Sequence, residues 1–166
     1  MWVCILVFSI ILAYSLIINT RYERPFTMEL NEFDEKFHTR FEDKSFQYYE
    51  YENSLGSKVT YYFKKQFYNE PFTKIQISEF SDFYDLIDYS DKDVNSEFVE
   101  TFKNIEIPIK IKIDKSIISI KSKFNLNDIN YGICLIYLRS EPEDVEIEKA
   151  VERMFQTIDE YIVIEE

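Results

Sequence analysis

Nine residues decide the fold class: Ile105–Ile113, with the sequence IEIPIKIKI. Isoleucine occupies every odd position of this stretch, and Glu, Pro or Lys occupies every even position. Strict alternation places the isoleucines on one side of an extended strand and the polar residues on the other. The pattern therefore predicts a half-buried antiparallel strand. Pro108 has no N–H to donate to a ladder, so this strand is predicted to be an edge or to carry a bulge.

Segments on both sides of this strand also have strand or helix patterns. Further strands are predicted at 46–52, 58–67, 72–78, 118–124, 131–138 and 161–164. Helices are predicted at 28–43, after Ser78, from Ser90 onward, and after the capping box Ser140–Glu143. The helix from Ser90 carries Val94, Phe98 and Phe102 at a spacing of four. The predicted class is α+β, with one largely antiparallel sheet packed by about four helices.

The first 20 residues contain no charged side chain. At a rise of about 1.5 Å per residue, a helix of this length spans about 30 Å, the hydrocarbon thickness of a bilayer. We therefore predict a transmembrane anchor over residues 1–20, a juxtamembrane linker over 21–27 and a single domain over 28–166. A cleaved signal segment is the alternative, with Ala13-Tyr14-Ser15 as its cleavage site.

Basic residues follow the apolar segment within about 20 positions, whereas only the terminal amine precedes it. They are Arg21, Arg24, Lys36 and Arg40. The positive-inside rule then favours a single-pass protein with its domain on the cytoplasmic side. An exported domain is the other possibility.

Composition excludes several classes of function. The net charge of −12, from 19 basic and 31 acidic residues, argues against nucleic acid as a partner. Gly56 and Gly132 are the only glycines, so neither a P-loop nor a dinucleotide fingerprint is present, and no cofactor is expected. His38 is the only histidine, and Cys4 lies in the apolar segment, which leaves Cys134 alone in the domain. We therefore expect no disulfide framework, no metal site and no cysteine or histidine catalysis.

One region departs from the acidic background. Residues 101–124 contain six lysines against Glu106 and Asp114. By strand parity, Lys110 and Lys112 point away from the isoleucines, and so do Lys121 and Lys123 on the next strand. Pairing of the two strands would gather four ammonium groups on one sheet face. These lysines are the candidate contact with an anionic surface or partner; the alternative is a solvated face whose lysines protect an edge strand from aggregation.

Three functions are compatible with these patterns. The first is a membrane-anchored, non-enzymatic binding or assembly subunit, because no recognisable catalytic constellation is present. The second is an exported acidic protein of the inhibitor or immunity type, released by cleavage of the N-terminal segment and steered onto a basic partner by its charge. The third is a hydrolase with paired carboxylates, which would need two acidic residues with opposed pKa shifts in one pocket.

Overall fold

A single antiparallel sheet dominates the protein. The computed structural model describes residues 21–24, 26–41, 46–53, 59–65, 71–79, 87, 94–114, 116–138 and 147–165. The strands are β1 Arg21–Arg24, β2 Gln47–Asn53, β3 Val59–Lys65, β4 Phe72–Ser78, β5 Ser96–Phe102, β6 Ile105–Ile113, β7 Ile117–Leu126 and β8 Ile129–Leu138. Two helices are described, α1 Leu30–Phe37 and α2 Ile147–Tyr161.

The strand order is β1-β2-β3-β4-β8-β7-β6-β5, and every neighbouring pair is antiparallel. The sheet is thus two four-stranded meanders, β1–β4 and β5–β8, which join where β4 pairs with β8. In that central ladder Ile75 is opposite Ile133, and Ile77 is opposite Tyr131. All four of these side chains are fully buried. The join therefore makes one continuous core from the two meanders.

The alternation in β6 is realised as predicted. Ile107, Ile109 and Ile111 are buried, whereas the intervening Pro108 and Lys110 are half-buried on the other face. The strand is not an edge, because β5 pairs with it along residues 105–111. Its ladder with β7, however, starts only at Ile109. The pairing with β7 thus stops next to the proline, and among the described strands residues 105–108 pair with β5 alone.

Both described helices pack on the isoleucine face of the sheet. Phe33 and Phe37 of α1 are fully buried, and the Phe33 ring lies 5.2 Å from that of Phe63 in β3. At the other half of the sheet, Phe155 of α2 stacks on Phe102 at 5.2 Å. Aromatic rings bury more area than aliphatic side chains and attract one another edge-on or offset. The aromatic cluster therefore holds α1 and α2 on the sheet.

A polar turn links the end of α1 to the end of the chain. The Thr39 hydroxyl and the Phe41 N–H both donate to Asp34 Oδ1, at 2.7 and 2.8 Å. His38 ends α1 in the left-handed conformation with φ of 48°, and its carbonyl accepts the Val163 N–H at 2.7 Å. The predicted strand at 161–164 is instead the last residue of α2 followed by a single bridge between Thr39 and Ile162.

The predicted class, with about four helices on the sheet, is wrong. The described residues form a sheet-dominated fold with two helices, α1 and α2. The segment read as a helix from Ser90 contains strand β5, whose Phe98 and Phe102 face Ile109 and Ile105 of β6. A spacing of four fits one face of a helix and also one face of a strand, because four is an even number. Pairing with β6 decides between them.

Several other predictions fall wholly or partly outside the described residues. They concern the anchor over residues 1–20, the capping box at 140–143 and the helix after Ser78, of which only Glu79 and the buried Ile87 are described. The segment predicted as a linker, 21–27, contains β1, which pairs with β2 from Arg21 to Arg24. Of the helices that the structure describes, none is both long enough and apolar enough to cross a membrane.

Candidate functional site

The four lysines singled out from the sequence lie on one face of the sheet, opposite to the helices. In the ladder of β6 with β7, Lys110 is opposite Lys121, and Lys112 is opposite Ser119. Lys123 follows Lys121 by two residues and so points to the same side. All four are half-buried. The ladder therefore gathers the four side chains of the candidate contact.

The structure adds two lysines that the sequence analysis did not select. Lys121 is opposite Cys134 of β8, Cys134 is opposite Lys74 of β4, and Lys74 is opposite Lys64 of β3. With Lys110, these residues make one straight row across five neighbouring strands. Strands lie about 4.8 Å apart, so the row is about 19 Å long. We call the face that carries Lys64, Lys74, Lys110, Lys112, Lys121 and Lys123 the lysine face.

A signal for Lys64 and Lys74 is present in the sequence. Each follows or precedes a core residue directly, Phe63 for Lys64 and Ile75 for Lys74, so strand parity alone puts both away from the core. What parity cannot supply is the order of the strands. Because β4 pairs with β8 and not with β5, the two meanders bring their lysines into a single row.

Cys134 lies at the centre of the row and is 2% exposed. Its neighbours across both ladders, Lys74 and Lys121, have long aliphatic stems that cover apolar surface while the ammonium groups reach solvent. Burial raises the pKa of the Cys134 thiol to about 11, although both lysines act to lower it. The thiol is thus protonated near neutral pH, and it has the chemistry of a small buried apolar group instead of a nucleophile.

Aromatic side chains adjoin one end of the row. The Lys64 ammonium lies 4.5 Å from the centre of the Tyr49 ring, and the Lys74 ammonium lies 5.4 Å from that of Phe72. The Tyr62 ring is paired edge-on with Tyr51 at 6.3 Å. Burial raises the pKa of Tyr62 to about 12, so its hydroxyl remains neutral and able to donate. The lysine face therefore combines positive charge with half-buried aromatic surface.

The opposite side of the sheet, which carries the helices, is negatively charged. Helices α1 and α2 carry seven acidic and three basic side chains between them. On the lysine face, Glu97 of the end strand β5 lies 3.5 Å from Lys110. A chain with a net charge of −12 thus collects lysines on one face of its sheet. A charged surface of this kind attracts and orients a partner of opposite sign.

In the described part of the chain, the other candidate catalytic and metal-binding side chains do not come together in one place. His38 serves as the end of α1, with its carbonyl bonded to the C-terminal segment. A cleft of about 400 Å³ beside Lys112 is lined by Asp114, Asn95, Val94 and Ile113, with one carboxylate among them. Among the residues described, no three His, Cys, Asp or Glu side chains come close enough together to hold a metal ion.

Sequence and structure comparisons give no relative from which a function could be transferred. No protein-family model, curated protein or solved structure matches this chain.

Proposed function

We propose that the protein is a non-enzymatic binding subunit, held at a membrane by residues 1–20, whose lysine face binds an acidic protein partner. The observation that carries the proposal is the row across five adjacent strands of an acidic protein, in which Lys64, Lys74, Lys121 and Lys110 flank Cys134. The 20 uncharged residues that precede β1 support the membrane part of the proposal.

An acidic protein segment fits this face better than a lipid surface does. The lysines of the row are half-buried, and Lys64 and Lys74 lie beside the rings of Tyr49 and Phe72, so their charges are partly removed from water. Aromatic side chains are enriched in protein interfaces, and ion pairs formed there are screened less than exposed ones. Binding to anionic lipid headgroups would instead favour lysines that are fully exposed.

The first test measures binding of the full chain in detergent to a fluorescent polyglutamate peptide, before and after Lys110, Lys112, Lys121 and Lys123 are all changed to Gln. We expect at least a tenfold loss of affinity and a weaker dependence on salt, because up to four ion pairs disappear. A matched control removes four positive charges from the helix side of the sheet, by changing Lys36, Arg40, Lys149 and Arg153 to Gln.

The control variant should bind as the wild type does. Equal binding by all three proteins would refute the lysine face as the site. Binding of the wild type to anionic vesicles without binding to polyglutamate would replace the protein partner by a lipid surface.

A second test addresses the anchor and separates the two membrane-related functions. We expect the full chain to require detergent for extraction, and a chain without residues 1–20 to remain in the soluble fraction. Protease protection of a C-terminal tag then reports the side of the membrane on which the domain lies. Recovery of a shortened mature chain outside the cell would favour the exported inhibitor-type protein instead.

A further inference from the structure

Strand β5 is exposed along most of its length. Five of its seven residues are exposed, and Val99 has 59% of its surface accessible. The strand ends the sheet, and β6 is the only described strand to which it is hydrogen-bonded. Alternate residues of an end strand direct their N–H and C=O groups away from the sheet, where they can pair with another strand.

The two ends of the sheet differ in how well they resist such pairing. At the other end, β1 has four residues. By contrast, β5 is seven residues long and contains neither Pro nor Lys, the residues that commonly block edge pairing. Its only charged residues are Glu97 and Glu100. The seven residues of β5 would give about 24 Å of continuous antiparallel ladder.

We propose that β5 pairs antiparallel with β5 of a second copy of this chain, with the two-fold axis passing between the two Val99 residues. In this register Val99 is opposite Val99, and Ser96 is opposite Phe102. Glu97 is opposite Thr101, and Glu100 is opposite Phe98. All seven residues are paired, and no carboxylate is directly opposite another.

Other symmetric registers either place carboxylates directly opposite each other or pair fewer residues. Centring the axis on Glu97 or on Glu100 would place two carboxylates directly opposite each other, which destabilises a strand pair. Centring it on Phe98 would pair only residues 96–100 of the strand and leave Thr101 and Phe102 beyond it. Charge and length therefore both select the register centred on Val99.

The arrangement has a consequence for the lysine face. A two-fold axis perpendicular to the sheet keeps the helices of both copies on one side and both lysine faces on the other. The pair would therefore present a single lysine face across two joined sheets. This inference does not depend on the identity of the partner in the proposed function, because it rests on β5 alone.

The predicted dimer is weak in dilute solution and sensitive to salt. An interface made by one strand edge is small, and interfaces below about 1,200 Å² are typically transient. The two Glu100 side chains would be diagonal neighbours about 7–8 Å apart. Because salt screens this repulsion, added salt should strengthen the dimer. Binding of an acidic partner to the lysine face should weaken with salt, so the two interactions can be told apart.

Disulfide cross-linking tests the register directly. The full chain is prepared with Cys4→Ser, and single cysteines are introduced at Val99 or at Thr101, two exposed positions on one face of β5. Directly opposite residues have the separation that a disulfide needs, whereas two Thr101 residues would lie about 14 Å apart. Under mild oxidation we expect Val99→Cys to give covalent dimers and Thr101→Cys to give none.

Two further variants make the test specific. Co-expressed Glu97→Cys and Thr101→Cys chains should form mixed dimers, and addition of Val99→Lys to both should abolish them. Folding of the Val99→Lys chains is checked by thermal unfolding, which should be nearly unchanged because the side chain is exposed. The proposal is overturned if Thr101→Cys cross-links as well as Val99→Cys does, or if Val99→Cys does not cross-link. In either case β5 is an edge protected by its two glutamates.

Discussion

The reactivity of Cys134 should report on the lysine face, because the thiol lies beneath the lysine side chains. Its pKa is raised from the ordinary 9.0 to about 11, so the thiolate fraction at pH 8 falls from about one in ten to about one in a thousand. We therefore predict that a maleimide labels Cys134 at least 100-fold more slowly in the native chain than in the unfolded chain. The measurement uses mass spectrometry of the Cys4→Ser chain with and without guanidinium.

The same assay tests whether lysine stems cover the thiol. Lys74→Ala and Lys121→Ala remove the side chains directly opposite Cys134 and should each accelerate native labelling several-fold. Lys112→Ala is the matched control, because that lysine is opposite Ser119 on the same face. A native labelling rate within tenfold of the unfolded rate would refute the buried position of Cys134. Identical rates in all three lysine variants would refute the covering role of Lys74 and Lys121.

Four further predictions concern stability and are checked by denaturant unfolding. The raised pKa of Cys134 stabilises the fold below about pH 9 and should lose up to roughly 2–3 kcal/mol as the pH rises from 9 to 11, a loss that Cys134→Ala should remove. Ser122→Ala should stabilise the protein by about 1 kcal/mol, since the buried Ser122 hydroxyl has no hydrogen-bond partner among the described residues. Phe33→Ala should cost about 3–5 kcal/mol, because the ring is fully buried. Tyr131→Phe should cost about 1 kcal/mol, because its hydroxyl donates to the Phe37 carbonyl at 2.8 Å.

Local patterns were sufficient for much of the sheet. The period of two in Ile105–Ile113 predicts both the strand and its buried face, and the strand patterns at 46–52, 58–67, 72–78, 118–124 and 131–138 correspond to β2, β3, β4, β7 and β8. Local patterns failed where one spacing fits both a helix and a strand, as it does at Val94, Phe98 and Phe102. They also failed at β1, whose four residues form a strand by pairing with β2 and have too short a pattern to be recognised alone.

One part of the candidate site could be predicted from the local sequence, and the other part depends on long-range strand pairing. Parity along β6 and β7 predicts that Lys110, Lys112, Lys121 and Lys123 share a face, because the two strands are adjacent in the chain. The contribution of Lys64 and Lys74 depends on β4 pairing with β8, strands separated by about 50 residues. Nothing in the local sequence specifies that pairing, since it follows from how the two meanders cover a common core.

Site-specific photo-cross-linking in native membranes shows whether the lysine face is the binding surface. A photoreactive residue replaces Ile117, which is 38% exposed on the lysine face, or Gln156, which is exposed on α2, in the full chain within its native membranes. We expect adducts with an acidic protein from position 117, which decline in high salt and disappear when the four lysines of β6 and β7 are changed to Gln. The lysine face is not the binding surface if adducts form from position 156 and not from 117, or if they persist in the lysine variant.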